Sequence, residues 1–259
     1  MTLGDDAALF VLQQAQPLTR LALPHICRVY RYDPSQDLRP REPVFNRFPA
    51  IVLALTAVII GTSIIQFMAD PYLENWMFAA GAILTGPEFA DVTRPFGDFP
   101  PLILHVLLHG GFFHLAMNMT AMIAFGPPIA MAFGRGGKGA VGFLVFFAGA
   151  AIAGALAQIA WGEFMNRSEI VIGASSALSG FLPAVGWLQG GFKQAVRMSM
   201  PWLVINLVIA VVGNMLIAAT FGMQLAWMAH IGGLAGGFVL FPLMLRFFNP
   251  ALAERLRHI

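Results

Sequence analysis

Residues 198–245 read MSMPWLVINLVIAVVGNMLIAATFGMQLAWMAHIGGLAGGFVLFPLML, 48 consecutive positions without an Asp, Glu, Lys or Arg. A helix that crosses the hydrocarbon of a bilayer needs about 20 mostly apolar residues. The stretch is long enough for two such helices, and Thr220, Phe221 and Gly222 supply a turn between them. This reading places spans near 199–219 and 229–248.

Four more charge-free runs, 48–69, 99–134, 139–162 and 170–192, hold 22, 36, 24 and 23 residues. The first, third and fourth of these fit one span each. The run 99–134 is too long for one span and too short for two. Phe99, Pro100 and Pro101 read as loop, so its span is placed near 113–133. The expected fold is therefore an all-α polytopic membrane protein, a bundle of six transmembrane helices. Over the whole chain of 259 residues, 58% are hydrophobic and 11% charged, with a mean hydropathy of +0.73. A soluble domain carries about 25% charged residues, so this balance excludes a soluble globule, a disordered chain and a basic nucleic-acid binder.

Basic residues concentrate on the cytoplasmic side of membrane proteins. With the N-terminus inside, that side holds Arg20, Arg28, Arg31, Arg39, Arg41, Arg47, Arg135, Lys138, Lys193, Arg197, Arg246, Arg255 and Arg257, leaving only Arg94 and Arg167 outside. Five or seven spans would scatter this pattern. The expected organisation is a cytoplasmic segment 1–46, a membrane domain 47–249 and a cytoplasmic tail 250–259, with both termini cytoplasmic. The polar, Arg-containing start shows no signal-peptide pattern. Cys27 has no partner for an internal disulfide and no metal-ligand company, so it reads as a reduced thiol. Residues 70–112 form a long outer loop in which Tyr72, Trp76, Phe78 and Phe89 mix with Asp70, Glu74, Glu88 and Asp91. That mixture suits a segment lying in the interface.

Polar groups in or beside a span are costly and mark functional sites. The first cluster is His105, His109, His114 and Asn118. Each pair spaced by four shares a face if its segment is helical. Between His105 and His109 stand only Val106, Leu107 and Leu108, with no glutamate as in the zinc-protease pattern and no third ligand elsewhere in a span. Structural hydrogen bonding of the two histidines is favoured, and no metal is expected. The second cluster is Gly173-Ala174-Ser175-Ser176-Ala177-Leu178-Ser179-Gly180, at the outer start of the fourth span. A serine at a helix start has unpaired N–H groups nearby that suit an oxyanion, although small-residue helix packing is the competing reading. The third is Ala229-His230-Ile231-Gly232-Gly233-Leu234-Ala235-Gly236-Gly237, at the outer start of the sixth span, where Gly233 and Gly237 open one face to close helix packing. Spans two, four and six run in the same direction, so Asn118, Ser175 and His230 share one depth. Packing of Ser175, Ser179 and Gly186 against Gly233 and Gly237 would bring His230 within hydrogen-bond reach of Ser175.

These motifs in this order, the H-x-x-x-H of 105–109, His114 with Asn118, the GASS of 173–176 and the AHIGG of 229–233, resemble the rhomboid intramembrane serine proteases. The motifs lie between about 105 and 240; the six-span layout extends the resemblance to about 47–249 and leaves out residues 1–46. The resemblance implies Ser175 as nucleophile and His230 as general base and acid, a dyad without aspartate. It also implies an oxyanion site of His114, Asn118 and the Ser175 backbone N–H. No cofactor or metal is implied. The implied partners are the lipid bilayer and single-span or multi-span membrane-protein substrates, cut near the outer, periplasmic face of a cell inner membrane. A rhomboid-like protein that binds transmembrane helices without cutting them is the alternative.

The sequence departs from the family pattern at several positions. Ser176 stands where glycine commonly follows the nucleophile, and the Gly-x-Ser match favours Ser175 over Ser176. Ser179 stands where an aromatic often packs on the catalytic histidine, and its hydroxyl could bond that histidine instead. The frequent Trp-Arg pair of the first loop is missing, since Arg94 precedes Pro95 and Phe96. Ala130 and Met131 occupy the region of a frequent acidic residue.

Overall fold

The computed structural model describes residues 48–210 and 225–257. The expected segment 1–46, the end of the fifth span and the turn at Thr220–Gly222 lie outside the described residues.

Helix α1, Ala50–Met68, buries Val52, Thr56, Ile59, Ser63 and Gln66. Their alternating spacing of four and three residues is one stripe of an α-helix, and the other faces carry exposed apolar residues such as Val58 and Ile65. Helix α2, Pro71–Gly81, starts where Asp70 accepts a hydrogen bond from the Leu73 N–H at 2.8 Å, with proline in the first turn. Strand β1, Ile83–Thr85, follows, then a 3-10 turn over Pro87–Phe89, the short helix α3 over Pro101–Leu104 and a 3-10 turn over His105–Leu107. The expected loop 70–112 is thus an ordered chain of short elements.

Arg94 fastens part of this segment. Its Nη1 donates to the carbonyls of Ala79 and Ala82 at 3.2 and 2.7 Å, closing the end of α2 without the Trp-Arg pair.

Helix α4, Phe112–Ala132, and α5, Gly136–Met165, are joined by a turn with positive φ at Gly134 and Gly136. Strand β2, Glu169–Val171, pairs antiparallel with β1, Ile83 facing Val171 and Thr85 facing Glu169. The all-α expectation therefore needs amending by a two-stranded ribbon, and within the charge-free run 170–192 the helix begins at Ser175. Three residues per strand are too few for a periodic signal, and only the tertiary fold brings them together. Helix α6, Ser175–Ser179, runs through Gly180 into α7, Phe181–Val208.

Helix α7 breaks at Gly190 and Gly191. Gly191 has φ 65° and ψ −156°, a conformation that only glycine adopts easily. The chain doubles back there, so that a side chain on Gly186 would meet the Ala195 backbone. Helix α8, Trp227–Phe248, and α9, Pro250–Leu256, complete the described chain, with Asn249 capping α9. Leu252, Ala253 and Leu256 of α9 pack on the main apolar core, so the expected tail 250–259 includes a docked helix.

Among the described residues, four helices, α1, α4, α5 and α8, are long and apolar enough to cross a membrane. Lipid tails are as apolar as leucine, so these helices associate through close packing and not through transfer from water. The most extensive pairing is α5 with α8. Gly232 and Gly236 of α8 lie against Ala153, Gly154 and Ala157 of α5, and Gly154 in turn lies against the Ala229 carbonyl and Ser176. Phe133, Phe143, Phe146, Phe181 and Phe241 fill the adjoining core. Their rings meet edge-on, tilted or stacked at 5.6–6.0 Å, each pair worth about 1 kcal/mol beyond burial.

Candidate active site

Ser175 is the first residue of α6, half-buried and reached through Gly173, whose φ is +113°. His230 sits in the first turn of α8, 3% exposed. Its Nε2 lies 2.7 Å from Ser175 Oγ. The two helices approach this closely because Gly233 seats on the backbone of Ser176 and Gly237 on that of Gly180. The contact is one residue later on α6 than the expected Ser175 and Ser179, and Gly186 packs on Ala195 instead. Each residue turns a helix by about 100°, so Ser176 and Gly180 meet α8 while Ser175 is turned toward His230.

Gln158 of α5, 1% exposed, fixes the start of α8 by accepting the Ala229 N–H at 3.0 Å, and its amide N–H donates to Glu169. An N–H in a first helical turn has no partner within the helix, so a glutamine on a neighbouring helix fills that need.

Gly111, φ +138°, starts α4 and places His114 and Asn118 on one face. The Gly110 N–H donates to His114 Nδ1 at 3.3 Å, which leaves the proton of the neutral ring on Nε2. A side chain on Gly173 would lie 2.7 Å from that Nε2 and 3.5 Å from Asn118 Nδ2. Both donors therefore converge over Gly173, two residues before Ser175. Asn118 is 5% exposed and its Nδ2 has no hydrogen-bond partner. An orphaned buried donor costs about 1–3 kcal/mol, and this one is left free to meet an acceptor at that spot.

His105 and His109 support the site from beside it. His105 Nδ1 donates to the Pro101 carbonyl at 3.0 Å, and its Nε2 accepts from Ser176 Oγ at 2.9 Å. The Gly173 N–H donates to the His105 carbonyl at 2.8 Å. Ser63 Oγ lies 2.9 Å from His109 Nδ1, and Gln66 makes two bonds to the His109 backbone, at 2.8 and 2.9 Å. The His109 ring meets His114 edge-on at 5.1 Å. Burial pushes His105 down from 6.5 to about 4 and His109 to about 3, the nearby His114 adding to the latter shift.

The unfolded chain then takes up protons near pH 6.5 that the folded chain refuses until about pH 4. Because the unfolded state binds more protons in that window, stability rises with pH across it. The melting temperature in detergent is expected to be level above pH 6.5 and to fall by several degrees on acidification toward pH 4. A flat profile would contradict the neutral, buried state of these rings.

The residues not singled out from sequence are Ser63, Gln66, Gln158, Trp202 and Asn206. All but Trp202 are polar residues inside an apolar run, and that is the available signal. His230 Nδ1 lies 2.7 Å from Asn206 Oδ1, and the ring of Trp202 lies 5.3 Å from that of His230. Ser179 does not bond the histidine. Its hydroxyl donates to the Ser175 carbonyl at 2.7 Å and accepts from Trp202 Nε1 at 2.9 Å.

Residues 97–247, more than half of the chain, match the Rhomboid domain family. The chain is also 27% identical over 146 residues to a Bacillus subtilis (strain 168) protein described as "Putative rhomboid protease YdcA", a match covering 56% of this chain and 66%, just under two thirds, of that relative. The matched segment contains the clusters around His114, Ser175 and His230, and its apolar helices make the chain a multi-pass membrane protein. This chain belongs to the rhomboid family.

Proposed function

We propose that the protein is an intramembrane serine protease that hydrolyses peptide bonds in or near transmembrane segments of other membrane proteins. The observation that carries this reading is the 2.7 Å approach of Ser175 Oγ to His230 Nε2, with two side-chain donors converging beside it. Ser175 Oγ attacks the scissile carbonyl carbon, and its proton passes to His230 Nε2. The negative charge on the former carbonyl oxygen is met by Asn118 Nδ2–H and His114 Nε2–H. On collapse, His230 returns the proton to the leaving amine. A water molecule activated by the same imidazole then releases the acyl group from Ser175. A position near the membrane surface gives that water access, and local unwinding of the substrate helix exposes its carbonyl.

The topology in this reading has six spans and cytoplasmic termini. Segment 1–46 and residues 250–259 flank membrane domain 47–249, and the site lies near the periplasmic face of a cell inner membrane. The two arms of α7 on either side of Gly191 support the fourth and fifth spans.

The test is cleavage of a reporter transmembrane segment in proteoliposomes, with covalent labelling by a fluorophosphonate. Each oxyanion donor is worth about 10²–10³ in turnover. Asn118→Ala is therefore expected to slow cleavage by that factor with the fold retained. Folded protein that binds the reporter but neither cuts it nor takes up the label would support the helix-binding alternative.

A further inference from the structure

Two residues of α7 lie against His230. Trp202 and Asn206 are four apart, hence on one helix face, and Asn206 is fully buried. The direction of every bond they make follows from atoms whose role is fixed. The Trp202 carbonyl can only accept, so the group reaching it at 2.8 Å is the Asn206 amide N–H. That leaves Asn206 Oδ1, an acceptor, facing His230, so Nδ1 must carry the proton. The Nε2 atom is then unprotonated and accepts from Ser175. On the other side, indole Nε1 can only donate, so Ser179 Oγ accepts from Trp202 and spends its own proton on the Ser175 carbonyl.

The five bonds close a ring in which each donor points to the next acceptor. It runs from His230 to Asn206, to the Trp202 carbonyl, through the Trp202 indole to Ser179, to the Ser175 carbonyl, and from the Ser175 hydroxyl back to His230. Bonds ordered in one sense polarise one another, and in a site of low dielectric the ring holds one arrangement. The small side chain at position 179 is part of this arrangement, because its hydroxyl anchors the indole from the neighbouring helix.

We infer that Asn206 and Trp202 are the positioning residues of His230. Asn206 sets the imidazole tautomer through Nδ1, and Trp202 packs on the ring and fixes the helix that carries Asn206. This rests on the proposed Ser175 and His230 chemistry and adds a neutral third member from α7. An asparagine offers the oxygen acceptor that orients the ring without placing a charge among apolar helices, where an unpaired carboxylate would be costly.

The test compares fluorophosphonate labelling of the full chain in detergent across four variants, with ¹⁵N NMR of the histidine rings. Asn206→Leu keeps volume and removes the acceptor. It is expected to slow labelling by about 10²-fold, the lower part of what a general base supplies, and to move the His230 proton from Nδ1 to Nε2. Asn206→Asp restores an acceptor oxygen and is expected to recover labelling to within about tenfold of the native chain. Ser175→Ala and His230→Ala serve as references. If both references abolish labelling while Asn206→Leu labels at the native rate, the inference fails and the protease reading stands. If Ser175→Ala still labels, the protease reading itself fails. Should Asn206→Leu not fold, the native spectrum decides: His230 protonated on Nε2 overturns the inference, and protonation on Nδ1 supports it.

Discussion

Ser175→Ala is expected to abolish reporter cleavage and fluorophosphonate labelling, a loss on the order of 10⁴-fold or more, while Ser176→Ala keeps both within a few-fold of the native chain. The two adjacent hydroxyls face different histidines. Ser175 is half-buried and its Oγ lies 2.7 Å from His230 Nε2. Ser176 is 2% exposed, and its hydroxyl is occupied by His105, whose other ring nitrogen is bound to the Pro101 carbonyl. On the proposed function, a substrate carbonyl meets the first serine and not the second. Removing the Ser176 hydroxyl leaves the buried His105 Nε2 without a donor, a cost of about 1–3 kcal/mol that should appear as a lower melting temperature. Labelling rate and thermal melting together separate the two roles. Loss of labelling in Ser176→Ala with retention in Ser175→Ala would move the nucleophile by one residue.

The second large effect concerns a position that carries no chemistry. Gly237→Val is expected to destabilise the protein by about 3 kcal/mol or more and to eliminate activity, because a side chain there would enter the Gly180 backbone. Backbone cannot yield as a flexible side chain can, so α8 and α6 would have to separate. His230 is seven residues earlier, two turns along the same face of α8, and its 2.7 Å bond to Ser175 would lengthen with them. The matched control is Gly61→Ala in α1, where nothing lies within 4 Å of the added carbon. There the gain in helix propensity, up to about 1 kcal/mol, is the only expected change. Thermal melting in detergent distinguishes the two, and equal melting temperatures would refute the packing role of Gly237.

Helix positions were the most legible feature of the sequence. The reading 48–69 became Ala50–Met68, 113–133 became Phe112–Ala132 and 229–248 became Trp227–Phe248. Charge exclusion works at this scale because any unpaired charge in hydrocarbon is costly wherever it falls, so its absence marks the span without reference to neighbours. The 70–112 segment was less legible. Its short helices and strand depend on partners far away in the chain, such as Val171 across from Ile83 and Gln66 on the His109 backbone.

The same distinction governs the candidate site. By itself the sequence determined the membrane class and the order of the motifs, because these depend on local residue types. Only the tertiary structure decided which serine meets which histidine, that Ser176 and Gly180 are the seats for Gly233 and Gly237, and that Trp202 and Asn206 adjoin the imidazole. A buried polar residue in an apolar run must find a partner, and the sequence announces that need. Which partner it finds is set by helix rotation and approach to within an ångström, and those follow from the packing of all the helices together.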